Sequence, residues 1–372
     1  MLNKHESVEK EKPQSNSKKN GVVKNGNGVN GHTLMDFSKI KTGGKFLTNV
    51  VGSEKVFCKE LFSEEEKMIY EAMKDFATNE LLPLSQNELN KKDEKLIRKL
   101  VEQMGELGFL GIDVPEKYGG SEMTKTGMWI LAEGISFCGS PSFCTVWNVQ
   151  TSIGSLGIIW YGNDEQKKKW LPGICSGEKI AAFGLTEPEA GSDATNSKTT
   201  GVLSDDGKHY IVNGQKIFIS NGAWADTFIV ALKIDGKFSS IVVEKGTPGF
   251  DIGKEEKKMG MEGSSTVPLY FTDCKVPVEN LIGGENSGWI GVMSNFSQER
   301  LGMAAGMNAY SQICIDEAVA WAKERKTFGK PLIDNQVIKH KLVDMNRAVK
   351  TSRAWTELLS WRVMNGESPI AD

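Results

Sequence analysis

In 372 residues the sequence has no Cys-x-x-Cys pair; its six cysteines, Cys58, Cys138, Cys144, Cys175, Cys274 and Cys314, stand apart. Its four histidines, His5, His32, His209 and His340, show no metal-ligand spacing, so no structural zinc site is expected. Single cysteines scattered through a chain of this size read as small core hydrophobes in a reducing compartment. No apolar run approaches the roughly 18 residues of a membrane span. No arginine precedes Arg98, and no apolar segment opens the chain. The first 44 residues therefore read neither as a secretory signal nor as an Arg-rich transit peptide. The expected location is the cytoplasm, with the mitochondrial matrix as the alternative.

Charge is present but uneven. Residues 1–44 hold eight lysines against four acids, or +4; with −3 for the whole chain, the rest stands at −7. An acidic body gives no support to nucleic-acid binding. The basic stretch is rich in Lys, Asn, Ser and Gly and is expected to be a disordered tail. Within it, Gly26-Asn27-Gly28-Val29-Asn30-Gly31 matches a dinucleotide fingerprint. No strand pattern precedes the match and no helix pattern follows, so it reads as chance.

Beyond the tail the hydrophobic period changes twice. Ser63-Glu64-Glu65-Glu66 is a capping box, opening a helix whose apolar face is expected to be Met68, Ile69, Ala72, Met73 and Phe76. Leu96, Ile97, Leu100, Val101, Met104 and Leu107 mark a second helix. Further helix is expected over 122–138 and 145–176. Short β-branched and aromatic runs follow at 208–212, 215–219, 227–232, 240–243 and 267–271. Asn213-Gly214, Asn221-Gly222 and Asp235-Gly236 punctuate them as hairpin turns would. Helical period then returns over 289–326 and 336–365. The fold class is therefore α+β: a tail (1–44), an N-terminal helical domain (45–177), a middle antiparallel β domain (178–284) and a C-terminal helical domain (285–372).

Three stretches carry chemistry. In Phe183-Gly184-Leu185-Thr186-Glu187-Pro188-Glu189-Ala190-Gly191-Ser192-Asp193 an apolar strand stops abruptly in small hydroxyls, a glycine and carboxylates. Pro188 and Gly191 exclude regular helix there. The same residues also suit an ordinary strand-to-loop turn. The second stretch is Gly214-Gln215-Lys216-Ile217-Phe218-Ile219-Ser220-Asn221-Gly222. Here Phe218 alternates with Ile217 and Ile219, as an inward strand residue also would. The third is Glu324-Arg325-Lys326-Thr327-Phe328-Gly329-Lys330-Pro331 with Gln336. A helix C-terminus explains its charges but not Phe328 and Gln336.

Together, in this order, the three motifs and the helix–sheet–helix pattern resemble the acyl-CoA dehydrogenase family from about residue 46 to the end. The resemblance implies FAD as cofactor. It also implies α,β-dehydrogenation of an acyl-CoA thioester, transfer of electrons to an electron-transfer flavoprotein, and a homodimer or homotetramer. It places Phe183, Leu185, Thr186, Gly191, Ser192, Phe218 and Ser220 against the flavin, with Ser192 also near substrate. Many relatives carry Trp and Thr where Phe218 and Ser220 stand. Arg325, Phe328 and Gln336 resemble the part that reaches the flavin of a neighbouring subunit.

The reaction needs a carboxylate in an apolar cleft, where desolvation lifts its pKa toward neutrality. In this family the base lies either early on the first C-terminal helix or on a much later segment. Glu299 matches the early position, and Ser297 and Arg300 match positions lining the thioester and coenzyme A. A solvated pair in a helix's first turn is the plain alternative for Glu299-Arg300. The ending Ser368-Pro369-Ile370-Ala371-Asp372 has the look of a helix start, and by resemblance two more helices are expected beyond it. An acyl-CoA oxidase, an acyl-carrier-linked dehydrogenase and a non-catalytic flavoprotein assembly partner are the competing readings.

Overall fold

The computed structural model describes residues 62–365 and 367, apart from 86 and 124. The tail and the final Ser-Pro turn lie outside the described residues.

Six helices come first. Ser63 caps α1 (Glu64–Phe76) with the reciprocal Ser63–Glu66 capping box. The face it buries differs from the one expected. Tyr70, Met73 and Phe76 point inward with Ala77, whereas Met68 is 72% exposed and Ala72 faces solvent. Met73 and Phe76 are buried as expected and Ile69 packs against the core; Tyr70, which the expected face omits, fills a further inward position. Asp93 caps α2 (Glu94–Glu106), which buries Ile97, Leu100, Val101 and Met104 and leaves Leu107 exposed. The stretch expected as helix over 122–138 is α3 (Lys125–Ile135) plus one 3-10 turn. The next is three pieces: α4 (Pro141–Thr151), α5 (Leu156–Tyr161) and α6 (Asp164–Ser176). Gly162 ends α5, and an Asn163–Gln166 capping box restarts the chain as α6.

The sheet follows: β1 (Ala181–Gly184), β2 (Thr200–Leu203), β3 (His209–Ser220), β4 (Thr227–Ile234), β5 (Lys237–Glu244), β6 (Phe250–Ile252), β7 (Thr266–Pro277) and β8 (Leu281–Ile282). Its order is β6-β7-β3-β2-β4-β5-β8, with β1 added to β4. Most pairings are antiparallel, but β1 and β2 run parallel to β4 along the same edge. Asp235-Gly236 is a hairpin turn, with both residues at positive φ. Asn213-Gly214 is not a turn: β3 runs straight through it, with a register shift against β7 and Gly214 at φ 143°. A Gly absorbs the bulge, so the two runs expected as separate strands form one.

Beyond the sheet, α7 (Gly288–Glu324) is one helix of 37 residues. It ends in a two-residue hairpin, β9 (Lys326–Thr327) and β10 (Lys330–Pro331), and α8 (Gln336–Met364) packs back on it. Two hydrophobic cores result. One joins α1–α4 to the β3–β7 side of the sheet. The other joins α5, α6, β1 and the start of α7.

Candidate active site

The first two motifs are held together by a buried ion pair. The chain leaves β1 at Leu185 and turns back on itself, with Glu187 and Ala190 exchanging backbone hydrogen bonds. Glu187 then reaches down to Lys216 of β3, whose Nζ donates to Glu187 Oε1 at 2.6 Å and to the Leu185 carbonyl at 3.1 Å. Both side chains are buried, at 3% and 0% exposure. The carboxylate also accepts from the backbone N–H groups of Lys198 and Thr199. Burial works to raise the Glu187 carboxyl; the Lys198 N–H and the Lys216 ammonium outweigh it and hold the group below the usual range. A backbone bond from Ile217 N to Thr186 O, 2.9 Å, completes the link.

This anchoring turns Phe218 outward. The strand register slips between Lys216 and Ile219, and Phe218 sits at φ 62°, 60% exposed. An inward strand position is thereby excluded. Ser220 follows, half-buried and paired with Thr266. Asn221 then clamps three elements: its Nδ2 donates to Val146 O of α4 and Ala181 O of β1, at 3.1 and 3.2 Å. Its Oδ1 is buried without a hydrogen-bond partner. Asn221-Gly222 is thus a turn but not the expected hairpin, because β2 lies between β3 and β4 in the sheet; it is also the tie that sets the end of β3 beside β1.

The other residues of the first motif divide by depth. Phe183 and Leu185 are buried in the second core, Thr186 is half-buried, and Gly191 and Ser192 are exposed. A Cβ built on Gly191 meets no atom within 4 Å, and its φ is not in the left-handed region. The fold itself therefore does not require glycine there. An outward aromatic on a strained backbone, an open glycine and an orphan buried acceptor fit a flat ligand with polar edges, as a flavin is.

The start of α7 closes on the same core. Gly288 lies so near β5 that a Cβ would sit 2.5 Å from the Ser239 carbonyl carbon. Trp289 meets Phe238 edge-on at 5.5 Å. Trp289 and Phe296 pack against the cluster that contains Phe183 and Leu185. One turn on, Glu299 is half-buried, and burial raises its carboxyl above the ordinary glutamate range while Arg300 pulls the other way. Arg300 is exposed, its guanidinium 5.6 Å from the centre of the Phe296 ring. The Ser297 side chain lies outside the described set.

The third motif is remote from the other two within one chain. At 1.5 Å per residue, the far end of α7 lies roughly 38 Å from Glu299. Arg325 follows that end, exposed. Phe328, at φ 50° in the β9–β10 turn, is 105% exposed, and Gln336 is exposed at the start of α8. Glu187, Lys216 and Asn221 were not singled out in the sequence as site residues. The available signal was a lone lysine inside an apolar strand, which must find a partner if buried.

Family models match in chain order: acyl-CoA dehydrogenase N-terminal domain over 63–178, middle domain over 182–274 and C-terminal domain over 286–372. A probable acyl-CoA dehydrogenase of Bacillus subtilis is 41% identical over 82% of this chain and 51% of its own length. An acyl-CoA dehydrogenase of the same organism is 38% identical over 78% of this chain and 77% of its own. The crystal structure of an acyl-CoA dehydrogenase complexed with FAD from Bacillus anthracis superposes with a TM-score of 0.84 at 38% identity, covering 87% of this chain and 56% of that one. The chain thus spans about half the length of two of these relatives and about three quarters of the third. With three domain models matched in sequence and the helix–sheet–helix fold shared, the chain belongs to the acyl-CoA dehydrogenase family of FAD-dependent oxidoreductases.

Proposed function

We propose that the protein dehydrogenates an acyl-CoA thioester at its α,β bond, with Glu299 removing the α-proton. The observation that carries this reading is Glu299 itself: a half-buried carboxyl with a raised pKa, on the helix whose first turns pack against Phe183 and Leu185. A base must hold a proton well enough to pull it from carbon, and desolvation supplies that strength.

Bound FAD supplies the acceptor for the β-hydride. Around it, Phe183, Leu185, Thr186, Gly191, Ser192, Phe218 and Ser220 form the near wall. Phe218 offers a flat apolar face, and Thr186 and Ser220 offer hydroxyls for polar ring edges. Arg325, Phe328 and Gln336 lie too far along α7 to serve the same chain's site, so they serve the flavin of a neighbouring copy in a homodimer or homotetramer. Arg325 suits a pyrophosphate, being a planar permanent cation. Ser192, Ser297 and Arg300 border the thioester and coenzyme A. An electron-transfer flavoprotein then takes up the electrons.

Anaerobic titration of the yellow full-length protein with a panel of acyl-CoA esters tests the reading. Bleaching of the flavin band by at least one ester is expected. A protein that takes up no FAD, or whose flavin no ester reduces, overturns it.

A further inference from the structure

Two cysteines that the proposed chemistry does not use lie in contact. Cys138 ends the 3-10 turn after α3, and Cys144 lies in the first turn of α4. Gly139, at φ 66°, reverses the chain between them, and a side chain there would strike Leu82. Ser140 then caps α4 through the Phe143 N–H. This tight reversal brings the two sulfurs to 3.5 Å. A disulfide needs them at about 2.05 Å.

The surroundings set this pair apart. Cys138 is buried and Cys144 half-buried. Cys175 and Cys274 are buried with no sulfur neighbour, their thiols pushed up by burial to about 12 and about 11. Cys314 is exposed and alone. In the pair, the hydrogen bond from Cys144 lowers the Cys138 thiol, and the same bond, with burial, raises Cys144. The bond thus makes Cys138 the more acidic thiol of the two. Tyr310 of α7 lies beside Cys144 and Ser136, and Cys144 Sγ also donates to the Ile135 carbonyl of α3.

We propose that Cys138 and Cys144 form a reversible dithiol–disulfide site oxidised by hydroperoxides. One sulfur attacks the peroxide, gaining oxygen as a sulfenic acid and releasing an alcohol, or water where hydrogen peroxide is the oxidant. The second sulfur then displaces that oxygen as water. Two thiols and one hydroperoxide become one disulfide, one alcohol and one water. The bridge fixes the α3–α4 corner. That corner opens the same α4 that Asn221 ties to β1 and to the end of β3.

The test uses full-length protein carrying Cys58→Ser and Cys314→Ser, which removes competing thiols. After treatment with tert-butyl hydroperoxide, the peptide spanning 138 and 144 should lose two hydrogens in mass and both free thiols together. Dithiothreitol should restore them. Cys144→Ala should leave Cys138 without this product, giving sulfinic acid or no reaction. Trapping with phenylarsine oxide, which needs two neighbouring thiols, should retain the reduced double variant and release the oxidised one. The proposal falls if both thiols survive peroxide at doses that oxidise Cys314 in the wild type. It also falls if they oxidise singly to sulfinic acids.

Discussion

Lys216 and Glu187 form a salt bridge with an N–O distance of 2.6 Å and almost no exposure, each residue contributed by a different one of the first two sequence motifs. The pair joins the loop after β1 to the strand that turns Phe218 outward. Burying two charges is costly, and such a pair is weak evidence for net stability. Its effect is to fix position: with Lys216 held by Glu187 and by the Leu185 carbonyl, the register of β3 against the loop has one setting.

Removing one partner leaves the other charge buried. Lys216→Met should therefore destabilise the fold by about 3 kcal/mol, the low end for a broken buried pair. The low end applies because Glu187 keeps its backbone N–H donors. Combining Lys216→Met with Glu187→Gln should recover much of that loss yet still weaken FAD binding. Melting curves of the apoprotein and FAD titrations check the two effects separately. The Glu187 carboxyl is held below its ordinary value, so its stabilisation is present at neutral pH. It should fade as pH falls below the unfolded carboxyl value and through the folded one.

Phe218 occupies left-handed backbone at φ 62° with its ring exposed. A non-glycine residue there costs roughly 1–2 kcal/mol. Phe218→Gly should stabilise the apoprotein, by about 1 kcal/mol at most once glycine's larger unfolded-state entropy is set against the relief. FAD affinity should fall at the same time. Apoprotein melting and flavin fluorescence titration give the two numbers, and a variant with unchanged FAD affinity would take Phe218 out of the flavin wall.

The sequence patterns located most helices and strands because burial imposes a visible period. The capping box at Ser63, the long α7 and the Asp235-Gly236 hairpin are local features with local causes. What stayed hidden was tertiary. The expected face of α1 omits Tyr70, which fills an inward position beside Met73 and Phe76. Asn213-Gly214 has the composition of a turn, but pairing with β7 carries the strand through it as a bulge. The partner of Lys216 could not be read from its own strand, because Glu187, almost thirty positions away, folds onto it. Family motifs marked Phe218 and Glu299, whereas no motif marked Asn221 as the clamp between α4, β1 and β3.

Arg325 lies roughly 38 Å along α7 from Glu299 and is exposed in the described chain. Arg325→Ala should therefore leave the folding of the chain unchanged. It should weaken FAD retention by about 10- to 100-fold, since a charged hydrogen bond contributes about 1.5–3 kcal/mol. Analytical ultracentrifugation with flavin absorbance should show FAD travelling with the oligomer. A stable monomer at full flavin occupancy would contradict the shared-site reading.

Glu299 offers the sharpest test, because its burial makes opposite demands on activity and stability. Burial raises its pKa, so ionising it in the folded protein comes at the expense of stability. A raised folded-state pKa means that Glu299 favours the fold below the unfolded carboxyl value, an advantage lost as pH rises through the folded one. Glu299→Gln keeps the shape and removes the charge. At neutral pH the variant should be at least as stable as the wild type, and the difference should turn against it as the medium becomes acidic. It should still bind FAD and acyl-CoA. Reductive bleaching of its flavin should slow by ~10²–10⁴-fold, the usual contribution of a general base. In the wild type, the bleaching rate should climb with pH through a value above that of an ordinary glutamate, and Glu299→Gln should abolish that limb. Stopped-flow absorbance across pH, paired with thermal melts in the same buffers, reads both arms. Near wild-type reduction in Glu299→Gln would mean that another carboxylate is the base, while the proposed flavin wall around Thr186, Phe218 and Ser220 would stand.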